Sequence, residues 1–116
     1  MAETGNVHPL RQHLIEQFSG RAVKTVEVPG WPEPVYFKVP NLSTLKQTMA
    51  DAKGDPVEMQ ARVVVACAED GKGVKIWPNK IDYTEVMTRI DPGIVARIAN
   101  AIMAEAKLDV AAAEGN

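Results

Sequence analysis

Two histidines and one cysteine are the side chains of this sequence best suited to metal binding or nucleophilic chemistry. His8 and His13 are five residues apart, which places them on different faces of a helix. No cysteine or acidic cluster near them completes a set of metal ligands, and a structural metal site needs several such donors at fixed spacing. We therefore expect no metal site.

Cys67 is the single cysteine of the chain and lies inside an apolar run at 63–68. Both histidines lie near the N-terminus, so no candidate base neighbours the thiol in the sequence. A small core residue is therefore favoured over a nucleophile. One cysteine cannot form an internal disulfide, which is typical of proteins in a reducing cytosol.

Paired acids and glycines give no stronger sign of catalysis. The pair Glu69-Asp70 falls in a turn-forming cluster, and the other acids of interest stand at helix starts, where capping accounts for them. General acid–base catalysis needs acids in distinct environments. The tripeptide Gly71-Lys72-Gly73 is too short for a phosphate-binding loop. The sequence predicts neither an enzyme nor a cofactor-binding protein.

Composition indicates one small binding domain. The 116 residues match a single core, and Lys+Arg 13 against Asp+Glu 15 gives a net charge of -2 without a basic cluster, which disfavours nucleic acid as a partner. No apolar stretch approaches the roughly 20 residues of a membrane span, and no signal-peptide pattern follows the start. We expect a soluble intracellular protein with flexible ends at 1–8 and 109–116 around a domain at 9–108.

The most distinctive element is a pair of short strands joined by a proline-rich loop. Val26 and Val28 share one face, and the second arm alternates in the run Val35-Tyr36-Phe37-Lys38-Val39. Prolines in the loop fix φ and cannot donate ladder hydrogen bonds, so they hold Trp31 at the loop tip. The pattern predicts a hairpin at about 22–39, with Trp31 either folded over the hairpin or facing a partner.

Caps and apolar stripes predict several helices. The first would start at Pro9, carry an apolar stripe and close at Gly20, and the second would be capped by Ser43 or Thr44 and end at Gly54. The stripe of the first helix consists of Leu10, Leu14, Ile15 and Phe18.

Three aspartates mark later helix starts. Asp55 before a proline predicts a buried helix to about residue 68, although the valines at 63–65 favour a strand by local propensity. Asp82 with Glu85 has capping-box spacing, with Ile81 stapled against Val86. Asp91 precedes a long C-terminal helix at about 92–108, whose apolar stripe either enters the core or lies in a groove with another subunit.

An alternating run at 74–77, stopped by Pro78, predicts a third short strand able to pair with the hairpin. The predicted fold is therefore α+β, with a small antiparallel sheet (hairpin about 22–39 plus strand about 74–77) packed against several helices. Without catalytic signals, apolar anchors suggest a chaperone, adaptor or assembly factor. The candidate partner-binding residues are Trp31, Tyr36, Trp77, Ile98 and Ile102.

The order of several short motifs between about residues 22 and 108 resembles a known family. The motifs are Val28-Pro29-Gly30-Trp31, Val35-Tyr36-Phe37-Lys38, Leu42-Ser43-Thr44, Ala61-Arg62-Val63-Val64, Glu69-Asp70-Gly71-Lys72, Ile76-Trp77 and Val95-Ala96-Arg97-Ile98-Ala99-Asn100-Ala101-Ile102. In these the chain is similar to the tail assembly chaperones of bacteriophages with long, flexible, non-contractile tails and of related prophages. It differs from the usual family pattern at Pro40 and Trp77.

The resemblance implies a non-enzymatic protein of the host cytoplasm that is absent from the mature virion. Such a chaperone would coat the tape measure protein, recruit tail tube subunits and self-associate, and many relatives also have a longer, frameshifted product. The alternative is a small phage structural or adaptor protein, such as a head-tail connector component. A weaker third interpretation is a regulatory subunit of a larger enzyme.

Overall fold

Five α-helices and a two-stranded antiparallel sheet make up the part of the chain that the computed structural model describes, residues 8–106. In chain order the elements are α1 (Pro9–Ser19), β1 (Lys24–Val26), β2 (Val35–Phe37), α2 (Leu42–Ala52), α3 (Pro56–Cys67), a 3₁₀ helix (Lys80–Asp82), α4 (Tyr83–Arg89) and α5 (Pro92–Ala106). The predicted α+β class is confirmed. The flexible ends predicted at 1–8 and 109–116, apart from His8, and the last two residues of the predicted helix at 92–108 lie outside the described residues.

The hairpin forms with the predicted alternation. Val26 pairs with Val35, and Val35 and Phe37 are both buried while Tyr36 between them is half-buried. Strand pairing stops at Val26 and Val35 because the loop between them is rich in proline, which has no N–H to donate to the ladder. Gly30 has a φ of 84°, which favours glycine, and the tight turn there is closed by a 3.1 Å hydrogen bond from the Trp31 amide to the Val28 carbonyl.

The strand predicted at 74–77 is wrong. Lys75 forms a single antiparallel bridge with Glu69, and Glu69 forms another with Tyr36. The Glu69 amide donates to the Tyr36 carbonyl at 2.7 Å, and the Tyr36 amide donates back at 3.0 Å. The tight turn at 71–73 folds the run back onto residues 68–70, where the Asp70 amide donates to the Val74 carbonyl at 2.9 Å and the Ile76 amide donates to the Ala68 carbonyl at 3.1 Å. The proline at position 78 then ends the run. The run therefore reaches the hairpin only through Glu69.

Helix α3 is the centre of the core and packs against α2, α4 and α5. Asp55 caps it, because its Oδ1 accepts hydrogen bonds from the amides of Val57 at 2.9 Å and Glu58 at 3.2 Å. The three valines at 63–65 are all buried. The helix predicted here is confirmed, since burial on the helical face and a capped start outweigh the strand propensity of valine.

Two predicted caps are wrong by a few residues. Asn41, and not Ser43 or Thr44, caps α2, with its Oδ1 accepting from the Thr44 amide at 2.8 Å. The helix ends at Ala52, before Gly54, because Lys53 already adopts the left-handed conformation with a φ of 54°. Asparagine is as favourable an N-cap residue as serine, and Asn41 directly precedes the first residue of α2.

The start of α4 also differs from the prediction. The Asp82 carboxylate accepts from the Asn79 amide at 3.0 Å, so it caps the N-terminus of the preceding 3₁₀ helix and makes no capping bond to α4. Ile81 is exposed and does not act as a staple on Val86. Glu85 was expected to complete a capping box with Asp82, but its carboxylate instead accepts a hydrogen bond from Trp77 Nε1.

Helix α5 lies against α3 and β1. Its apolar stripe, which includes Val95, Ile98 and Ile102, is buried in the core. Of the two predicted roles of this stripe, the structure therefore shows the one in the core. On its outer side, Arg97 Nε donates to the Glu27 carbonyl at 2.6 Å, and Glu105 lies 3.6 Å from Lys24 Nζ. These contacts attach the C-terminal helix to the first strand. None of the helices within residues 8–106 has both the length and the apolar character that crossing a membrane would require.

Candidate partner-binding surfaces

Cys67 is held in the core and is poorly suited to nucleophilic chemistry. Desolvation by the surrounding apolar side chains raises the pKa of its thiol to about 11 and outweighs the opposing effect of the Lys75 ammonium group. Within the described part of the chain, no three histidine, cysteine, aspartate or glutamate side chains group as metal ligands. Two surfaces have exposed apolar side chains to which a partner can bind.

The first surface is a groove beside Trp31, defined here as the Trp31 groove. Trp31 is half-buried and packs against the hydrophobic core with part of its ring. The rest of the ring borders a cavity of about 520 Å³. Its lining residues are Trp31, Pro32, Glu33, Pro34, Val35, Asp70, Gly71, Lys72 and Ile76. Trp31 thus combines the two predicted arrangements, since one part of the ring packs inward and another part is open to a ligand.

The far wall of the Trp31 groove is a turn built around Asp70. Asp70 Oδ1 accepts hydrogen bonds from the amides of Lys72 at 2.8 Å and Val74 at 3.0 Å. These two hydrogen bonds lower the pKa of the Asp70 carboxyl below its ordinary value, and the bond from the Val74 amide has the larger effect. Gly71 lies against the ring of Tyr36, and a Cβ there would come 3.3 Å from the ring. Tyr36, half-buried, therefore supports the turn that faces Trp31.

The second surface is the apolar face of α1, defined as Leu10, Leu14, Ile15 and Phe18. No residue of α1 is buried, and these four side chains are 59%, 55%, 49% and 38% exposed. The amphipathic helix predicted here does form, but it does not pack its stripe onto the body. A helix of this length is marginal in water by itself, so an exposed stripe on it indicates a surface to which a partner can bind.

A few contacts hold α1 in place. His8 caps the helix, with Nδ1 accepting from the Leu10 amide at 3.0 Å. Beyond the C-terminus, Arg21 Nε donates to the Val39 carbonyl at 2.6 Å while its guanidinium stacks 4.0 Å from the centre of the Phe18 ring. Phe18 then borders a groove of about 400 Å³ shared with Leu42 and other residues. The α1 face therefore continues into a groove on the body.

The other three predicted anchors are core residues. Trp77 is 6% exposed, and its Nε1 donates to Glu85 Oε2 at 3.0 Å. Ile98 and Ile102 on α5 are 1% and 0% exposed. Burial at these three positions leaves almost no side-chain surface for a partner, so the structure does not bring them together with Trp31 and Tyr36 in one site. The exposed apolar side chains of the molecule include instead the four residues of the α1 face, which were not among the predicted partner-binding residues.

The sequence contained a signal for the α1 face, since its stripe was visible as helical periodicity. The periodicity alone does not distinguish a stripe that packs on the same chain from one that stays exposed. No protein-family model, curated protein or solved structure matches this chain. Its function has to be inferred from the surfaces themselves and from the motif resemblance.

Proposed function

We propose that this protein is a tail assembly chaperone that binds the tape measure protein and recruits tail tube subunits in the host cytoplasm, without remaining in the mature virion. The single observation that carries the proposal is the exposed apolar face of α1. The apolar stripe of an amphipathic helix normally faces the core of its own chain, so an exposed stripe marks an interaction surface. The order of the motifs that resemble this family supports the same assignment.

The α1 face suits a long helical partner. A tape measure protein is an extended helical rod, and an amphipathic helix binds such a rod through apolar residues at helical spacing. Each copy of this chain would contribute a small apolar contact, and many copies along the rod would together give high avidity. Weak individual contacts also allow tube subunits to displace the chaperone as the tube grows.

The Trp31 groove provides a second contact surface. It shares no lining residue with the groove beside α1. Separate surfaces would let one copy hold the tape measure protein while engaging a tube subunit. A partly exposed tryptophan next to prolines is the type of anchor that often dominates an interface energetically.

The test is binding of the purified chain to a tape measure fragment, measured by isothermal titration calorimetry. Leu14→Glu places a charge within the α1 face and is expected to weaken binding about tenfold or more, because the charge must be desolvated on binding. Gln17→Glu is the matched control, with the same new charge at another exposed position of α1. Trp31→Ala is expected to weaken binding to the tape measure or tube protein while sparing the fold.

Thermal unfolding followed by circular dichroism shows whether each variant is folded. Unchanged affinity for both partners in folded Leu14→Glu and Trp31→Ala would contradict the proposal. So would detection of this chain in purified virions by mass spectrometry, which would instead favour the connector or adaptor alternative.

A further inference from the structure

A third groove, defined here as the Lys75 groove, lies between α2, α3 and the segment at 75–80 and has a volume of about 370 Å³. It shares no lining residue with the Trp31 groove or with the groove beside α1. Its charged lining residues are Asp51, Arg62, Lys75 and Lys80. Its volume lies at the lower end of the range for protein ligand pockets and fits one or two side chains of a peptide.

The charges of the Lys75 groove are unequally satisfied. Asp51 is engaged through both oxygens, by Lys80 Nζ at 3.1 Å and by Gln47 Nε2 at 2.8 Å. Arg62 is also engaged, with Nε 2.7 Å from Glu58 and its guanidinium 3.7 Å from the centre of the Tyr83 ring. Lys75 has no carboxylate partner among the described residues, so one cation of the groove remains available to a ligand.

The lining carries three cations, Arg62, Lys75 and Lys80, and one anion, Asp51. Because Glu58 pairs with Arg62 from outside the lining and Asp51 pairs with Lys80, Lys75 is left as the one unpaired charge of the groove in the described part of the chain. The Ser43 hydroxyl adds a hydrogen-bond donor at the rim.

Ala66, which is half-buried, and Pro78, which is exposed, are the apolar lining residues that a ligand can contact, and together they are called the apolar floor here. Trp77 also lines the groove, but it is almost fully buried and hydrogen-bonded to Glu85, so it offers the ligand little surface. A ligand complementary to this groove has a carboxylate next to an apolar group.

We propose that the Lys75 groove binds an acidic segment of a protein partner, with a glutamate or aspartate carboxylate on Lys75 and a neighbouring apolar side chain over the floor. Asp51 is paired with Lys80, so within residues 8–106 the groove offers one unpaired positive charge, on Lys75. One positive charge matches a single carboxylate better than a multiply charged phosphate group. The proposal stands whether or not the partner belongs to a phage tail.

The test uses fluorescence, since Trp77 is one of only two tryptophans in the chain. In a Trp31→Phe background the emission comes from Trp77 alone. The probe is a capped octapeptide of serine and leucine with one glutamate next to a leucine, and its neutral analogue contains glutamine in place of that glutamate. We expect the acidic peptide to shift the Trp77 emission and to bind more weakly as salt rises.

Lys75→Gln is expected to weaken binding of the acidic peptide by about fivefold or more, since a charge-assisted contact is lost. Lys46→Gln is the matched control, because Lys46 is exposed on α2 and lies outside the groove. Calorimetry on the chain with both tryptophans repeats the measurement without the background substitution.

Three results would overturn the proposal. Equal affinity for the acidic and glutamine peptides would show that charge is not recognised. Unchanged binding in folded Lys75→Gln would place the peptide elsewhere. Competition by sulfate as strong as by the acidic peptide at equal ionic strength would show a general anion site. Loss of tape measure binding in Leu14→Glu without any effect on this peptide would separate the site from the α1 face.

Discussion

The chemistry of Cys67 is decided by its burial and not by its residue type. With a pKa of about 11, the thiol is ionised to about one part in a thousand at pH 8, three pH units lower. The same burial blocks access of reagents to the sulfur. A residue that could have been a reactive group is therefore a small apolar part of the core.

This predicts slow alkylation. Iodoacetamide at pH 8 should modify Cys67 in the folded chain at least about a hundredfold more slowly than in the chain unfolded by guanidinium, because a normal thiol is substantially ionised there. Mass spectrometry of timed samples measures both rates. Similar rates in the two states would mean that the thiol is accessible and that its place in the core is wrong.

At the scale of elements, helices α1 and α5 both carry apolar stripes but use them differently. The α5 stripe contacts α3 and the hairpin, whereas α1 buries no residue. The free energy of folding should therefore depend on one stripe and not on the other.

Alanine substitutions test this difference directly. Ile102→Ala is expected to lower the free energy of unfolding by about 2–5 kcal/mol, as removal of a fully buried isoleucine does. Leu14→Ala should change it by less than about 0.5 kcal/mol. Urea unfolding followed by circular dichroism at a helical wavelength measures both. Equal losses would show that α1 packs on the body.

The same elements show which structural features the sequence could predict. The α+β class, the hairpin alternation at Val35 and Phe37, and α3 despite its valines all follow from local patterns. Caps were less predictable, because Asn41 and Asp82 could each bond to several nearby amides and the choice depends on the path of the chain. The strand predicted at 74–77 was wrong because pairing with the hairpin depends on a distant part of the chain, and Glu69 occupies the position beside Tyr36 that this strand would have needed.

The candidate site was less predictable than the fold for a related reason. Trp77 and Trp31 look alike in sequence as anchors near prolines, yet Trp77 is buried and Trp31 is half-exposed. Exposure depends on how complete elements pack, and local periodicity contains no information about that. The stripe of α1 had the pattern of a core helix for the same reason.

For the whole molecule, the arrangement is a packed body with one weakly attached helix. The core connects the hairpin with α3, α4 and α5, while α1 is attached to this body through the hydrogen bond from Arg21 to the Val39 carbonyl. The exposed α1 face gives the chain a physical route to self-association, because two copies could cover each other's stripes.

Self-association is therefore expected. Multi-angle light scattering over a concentration series should show a mass that rises above the 12.6 kDa of one chain. Leu14→Glu should lower the mass at each concentration, and Gln17→Glu should not. A monomer at every concentration tested would count against self-association.

The separation of α1 from the core also affects how the protein can evolve. Positions such as Val64 and Ile102 are constrained by folding, since nearly any change there leaves a cavity or a clash. The four residues of the α1 face are free of that constraint, so selection acts on them through solubility and recognition. Partner preference can therefore change on this helix while the body stays the same.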